Sequence, residues 1–131
     1  MTNYEDCAFS KLFGLTLESV EGLEKGSQMV VFKTKHNDGT YRMHHRQNCC
    51  EHVEIVDVTG DVADLIGEEI IRAEESVYEG DDTKDEYGEL MRTIWTFYKL
   101  ATKKGYVDFR WCGQSNGCYS ERVDFEEVFD E

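Results

Sequence analysis

The stretch "ELMRTIWTFYKLATKKG", residues 89–105, decides the fold. Its length would permit a helix. Thr93, Ile94, Trp95, Thr96, Phe97 and Tyr98 argue otherwise, because β-branched and aromatic side chains lose freedom against a helical turn and pack well on a pleated sheet. A strand is therefore expected. The segment 93–100 is apolar or aromatic on both faces, which predicts a central strand covered on both sides. Lys103-Lys104-Gly105 then turns the chain. Val107, Phe109 and Trp111 follow, alternating with Asp108 and Arg110, a period of two with one buried face.

The same period recurs in both directions along the chain. Tyr41 and Met43 alternate with Arg42 and His44, Val53 and Ile55 flank Glu54, and Val123 and Phe125 alternate with Arg122 and Asp124. "HNDG" (36–39) and "GQSNG" (113–117) supply turn chemistry. The clearest helical signal is short: "GDVADLIG" (60–67), with Asp61 placed to cap, Leu65 and Ile66 facing inward and Gly67 suited to the left-handed C′ position. "NYEDCAFSKLFG" (3–14) suits another turn or two. The expected fold is α+β: a mainly antiparallel, twisted sheet built from hairpins, including 33–46 and 99–111, with one or two short helices. One compact domain over 1–131 is expected, with an acidic surface loop at 78–89. Phe32-Lys33 and Tyr98-Lys99 are 66 residues apart, as are Gly39 and Gly105. Any two glycine-turned hairpins share that much.

Charge narrows the partners. The 131 residues carry a net charge of −14, which disfavours nucleic acid and anionic membranes and suits a basic partner. Residues 68–89 hold ten acids and two bases, net −8. Residues 33–46 and 99–111 each hold four Lys/Arg against one Asp, net +3. No apolar run approaches the ~20 residues of a membrane span and no secretory leader pattern opens the chain, so a cytoplasmic protein is expected. In that compartment the five cysteines are expected to be thiols, with Cys50 the most buried.

"RQNCCEHVEI" (46–55), preceded by His44 and His45, raises metal and thiol chemistry. The ligand types suit zinc, but adjacent strand residues point to opposite faces and no Cys-x-x-Cys occurs, so neither metal nor cofactor is expected. No nucleophile signature accompanies the Cys–His neighbours. The acidic loop lacks the glycine that a calcium loop starting at Asp81 would need. "CGQSNGCYSER" (112–122) is different: its amide, hydroxyl and backbone donors suit an anion, with Arg110 and Arg122 beside it and Trp111 and Tyr119 available to stack.

These segments also carry a family likeness. "QNCCE" (47–51), "DLIG" (64–67), "WTFYKLA" (95–101) and "SNGCYSE" (115–121) resemble the pattern of a family of small uncharacterised domains found mainly in bacteriophages and prophages, over residues 13–128. Asn48 stands where that family usually has Asp. The resemblance implies a phage origin and a compact β-rich fold, not a reaction.

A phage setting shifts the expectation toward binding. The leading expectation is a non-enzymatic counter-defence protein in the cytoplasm of the infected host. It would sequester an anionic, nucleotide-like immune signal through His44, Arg46, Arg110, Trp111, Ser115, Asn116, Tyr119 and Arg122, in a pocket within one chain or between two copies. The alternative is an acidic, DNA-mimicking inhibitor docking on a host defence protein such as a CRISPR or other nuclease effector through Asp81, Asp82, Asp85 and Glu86. A small enzyme acting on a nucleotide comes third.

Overall fold

The computed structural model describes residues 2–36, 38–80, 82–84, 86–116 and 120–130. The described residues form ten strands: β1 (Thr2–Asp6), β2 (Leu17–Glu21), β3 (Met29–Thr34), β4 (Thr40–His44), β5 (His52–Gly60), β6 (Arg72–Glu79), β7 (Thr83–Lys84), β8 (Leu90–Thr102), β9 (Gly105–Ser115) and β10 (Asp124–Asp130). One antiparallel sheet runs β1-β10-β4-β3-β2. The other runs β5-β9-β8-β6, with β7 pairing β8.

The expected α+β class is corrected: the described residues contain no α-helix. Asp61 does cap, accepting the Ala63 N–H at 3.0 Å, but the turn it starts is a single 3-10 turn, Val62–Leu65. Gly67 (φ 85°) ends it, and its N–H bonds Leu17 O at 2.9 Å, which draws the chain back to the sheet. The N-terminal segment likewise makes only the 3-10 turn Phe9–Leu12. Four residues cannot offset the cost of nucleating an α-helix.

The 89–105 stretch is β8, a 13-residue strand. The hairpins expected in one sheet fall in two: β3–β4 in the first and β8–β9 in the second. One core fills the space between. Phe32, Tyr41, Met43 and Phe125 enter from the first sheet, and Tyr98, Leu100, Val107, Phe109 and Trp111 from the second, with Phe9 and Leu12 plugging one side. The Trp111 indole N–H donates to Met43 Sδ at 3.2 Å, joining the sheets. The outer face of β8 is not covered by another layer, which corrects the expectation of a strand covered on both sides. Trp95 and Phe97 are half-buried there, and the Arg110 guanidinium lies 4.8 Å from the Trp95 ring centroid.

The acidic loop is largely exposed, with β7 tying Thr83 and Lys84 to Met91 and Leu90. Among the described residues no helix is long and apolar enough to cross a membrane.

Candidate functional site

Among the described residues three glutamates are buried: Glu51, Glu121 and Glu126. Each is held by bases that had looked available to a ligand. Glu126 on β10 lies opposite Arg42 of β4, on the outer face of the first sheet. Alternation puts Arg42, His44 and Arg46 on that same side. Glu126 accepts from Arg42 Nε at 2.6 Å, His44 Nε2 at 2.9 Å and Arg46 at 2.5 Å. Arg46 also reaches Asp6 at 2.7 Å, and Tyr4 stacks beneath Arg42 at 4.9 Å. Burial opposes ionisation of Glu126, but the bonds from Arg42, Arg46 and His44 outweigh it and hold its pKa below the usual carboxylate value.

Glu51 ends the loop between β4 and β5. Burial again opposes its ionisation, yet the Cys49 N–H (2.7 Å), the His45 ring (3.2 Å) and the Asn48 N–H (3.3 Å) bring its pKa down to about 2. His45 spans the molecule: its Nδ1 faces the Arg122 carbonyl at 2.6 Å. Gln47 Nε2 donates to Glu51 O at 2.6 Å, closing the loop. Cys49 and Cys50 sit exposed at its tip, joined to each other as a disulfide. This corrects the expectation of reduced thiols with Cys50 buried. Cys7 and Cys112 are free and half-buried, and burial raises both thiols, which works against a reactive thiolate. Cys118 lies outside the described residues.

Glu121 receives Arg92 through both carboxylate oxygens (2.9 and 2.7 Å) and the Ser115 hydroxyl. These bonds prevail over burial and lower its pKa. Its backbone also passes close to Gly113: a Cβ there would stand 2.6 Å from Glu121 O and 2.7 Å from Glu121 Cβ. Gly113 therefore belongs to β9 and not to the turn expected at 113–117. The expected outcome for Gly113→Ala is a loss of about 1–3 kcal/mol in chemical denaturation. An unchanged midpoint would contradict this close approach.

Between the sheets opens a cleft of about 980 Å³. Phe9, Phe125, Val123 and Ile94 give it an apolar floor, and Glu75 and Arg122 give it charge. Arg122 is exposed and makes no ion pair among the described residues. Behind the lining stands Tyr98, with 0% exposure, tilted on Phe9 (4.6 Å) and stacked on Phe109 (5.1 Å). Its hydroxyl is buried on the side that faces Glu75. Burial, then the charge of Glu75 directly across the strand pair and a hydrogen bond with it, push its pKa up. A second hollow of about 510 Å³, lined by Gln28, Met29, His44, Gln47, Glu51 and His52 among others, lies beside the Cys49–Cys50 loop.

The expected ligand residues do not converge. His44 and Arg46 serve Glu126 on the outer face of one sheet, and Arg110 lies on the outer face of the other. Trp111 is buried in the core with no face free to stack, and Ser115 is turned inward to Glu121. Asn116 is exposed, and Tyr119 lies outside the described residues. Among those that are described, only Arg122 lines the cleft. On the acidic side, Asp82 and Glu86 are exposed, while Asp81 and Asp85 lie outside the described residues. Sequence reading missed Glu75, Tyr98 and the three buried glutamates.

A family model described as a domain of unknown function, DUF7448, matches residues 10–125. The chain belongs to this family. No curated protein and no solved structure matches it. The DUF7448 span takes in Cys49–Cys50, Glu51, Tyr98 and Arg122, and stops one residue short of Glu126.

Proposed function

We propose that this chain is a sequestering protein that takes up one small, nucleoside-like molecule in the cleft between its sheets and holds it unchanged. The cleft itself carries the reading. Its volume of about 980 Å³ lies in the range of small-molecule sites, with an apolar floor for a planar body and few polar groups to orient it. Arg122 supplies a guanidinium with no ion pair among the described residues, while Glu75, Asp6 and Asp124 supply carboxylates around it. That balance favours a ligand with one anionic group over a polyphosphate. In the infected bacterial cytoplasm that the phage resemblance implies, such a ligand would be a nucleotide-like immune signal.

The test is to incubate the protein with extract of infected, defence-competent cells, heat it, and identify what is released. An intact nucleotide-like molecule supports sequestration, a cleaved one makes the protein an enzyme, and nothing released removes the reading. Replacing Arg122 by Ala should weaken binding of the released molecule by about tenfold or more, since a charge-assisted bond contributes roughly 1.5–3 kcal/mol. Unchanged affinity in calorimetry would place the ligand elsewhere.

A second reading, the acidic inhibitor, is favoured by one observation. Arg42, Arg46 and Arg92 are engaged with buried glutamates, so the exposed acids Glu75, Glu79, Asp82 and Glu86 dominate the β6–β7 edge. A basic host effector captured by the protein should lose affinity steeply with salt, and also on neutralising Asp81, Asp82, Asp85 and Glu86 together. Salt-independent capture by the neutralised variant would remove this reading.

A further inference from the structure

The Cys49–Cys50 loop has no part in the cleft, yet it is held by its own network of hydrogen bonds. Both cysteines are exposed and bonded to each other. The loop is also held by bonds that do not involve sulfur. Glu51 accepts the Asn48 and Cys49 N–H groups, and Gln47 Nε2 spans Cys49 O at 3.1 Å and Glu51 O at 2.6 Å. His45 anchors Glu51 in turn. Opening the disulfide therefore leaves the loop in place and presents two neighbouring thiols to solvent. Cys7 and Cys112 are half-buried and far apart in sequence, on β1's exit and on β9.

The geometry points to Cys49–Cys50 as a reversible dithiol–disulfide site that exchanges with low-molecular-weight thiols and disulfides of the glutathione type. Exposure makes both sulfurs open to in-line attack, and exposed disulfides are the labile ones. In the oxidising direction one loop thiolate attacks oxidised glutathione. A mixed disulfide forms and one glutathione thiolate leaves. The neighbouring cysteine, as thiolate, then attacks the mixed disulfide at its own neighbour's sulfur and expels the second glutathione. Two cysteine thiols and one glutathione disulfide become one Cys49–Cys50 disulfide and two glutathione thiols. The loop is oxidised by two electrons, and its two protons end on the glutathione thiols. The same reduced pair, two thiols side by side, is a chelate for trivalent arsenicals.

The sequence makes the test clean. Arg46 and Arg72 bound a tryptic peptide, 47–72, that contains Cys49 and Cys50 and no other cysteine, whereas Cys112 and Cys118 share the peptide 111–122. The native full-length protein is equilibrated with graded ratios of reduced to oxidised glutathione, quenched in acid with a maleimide, and digested. The expected result is a two-state change in peptide 47–72, from two maleimides when reduced to two hydrogens lost when oxidised, with no retained glutathione. Phenylarsine oxide should bind the reduced protein one to one and block both maleimides on that peptide. With Cys49→Ser the resolving thiol is gone, so Cys50 should hold glutathione as a stable mixed disulfide. Full double labelling of wild-type 47–72 at every ratio would overturn the proposal, as would lasting glutathionylation in the wild type.

Discussion

Replacing Glu126 by Ala should cost about 3 kcal/mol or more and lower the melting temperature on the order of 10 °C. The carboxylate has 0% exposure and three basic side chains converge on it, Arg42, His44 and Arg46. Remove it and those partly exposed groups face one another with Asp6 as the remaining acid, reaching only Arg46. Breaking a buried ion pair from one side is the costly change, since the orphaned charges keep their desolvation penalty. Glu126→Gln keeps the volume and one acceptor oxygen, so it should fall between wild type and Ala. The pH dependence follows from the direction of the shifts. Glu51, Glu121 and Glu126 all have folded pKa values below their unfolded ones, so the folded chain binds fewer protons and acid favours unfolding. Their contribution is present above about pH 4.5 and is lost as the pH falls toward the lowered values, about 2 for Glu51. Thermal melts of Glu126→Ala should lose stability less steeply across that window. A melting temperature within a degree or two of wild type at neutral pH would refute the buried hub.

How much of this was legible depends on the length scale of the signal. The strands were. Alternation at Tyr41/Met43, Val53/Ile55, Val107/Phe109/Trp111 and Val123/Phe125 marks side chains that all point inward, and the aromatic run of 93–98 outweighs the helical length of 89–105. The absence of a true helix was not legible, because the cap at Asp61 is real. What cancels it is a tertiary bond, Gly67 N–H to Leu17 O, that no local pattern announces. The division into two sheets was hidden for the same reason: β10 pairs with β1 and β4, across most of the chain. The basic segment 33–46 was misjudged in role. Arg42, His44 and Arg46 recur every second residue, which stacks basic side chains on one strand face, two of them arginines that demand a counter-charge. That was a usable signal, but among 28 acids the sequence does not say which one answers it. Register does: Glu126 lies opposite Arg42. Tyr98 was read as one more strand aromatic, since the burial of its hydroxyl beside Glu75 is a property of what surrounds it and not of the residue.

Trp111 provides the sharpest test of that division, because two sequence signals disagreed about it. Alternation with Arg110 and Cys112 turns it inward, while its place beside the Gly/Ser/Asn loop suggested a stacking face for a ligand. The packed structure follows alternation: the ring has 0% exposure and bonds Met43 Sδ across the two sheets. Trp111→Ala should therefore cost about 3–5 kcal/mol, the range for deleting a fully buried aromatic and leaving its cavity. Trp111→Phe keeps most of the volume but loses the indole N–H, so it should cost less, with the remaining loss divided between a smaller cavity and the missing bond to sulfur. If Trp111 instead served a ligand from the surface, Ala would leave the denaturation midpoint within about 0.5 kcal/mol of wild type and abolish binding of whatever the protein carries. Denaturant titration read by far-ultraviolet circular dichroism separates the two, since that signal does not depend on the tryptophan being replaced. A large drop in midpoint with the slope unchanged is the expected result, because the same surface is exposed on unfolding and only the packing of one side chain is lost.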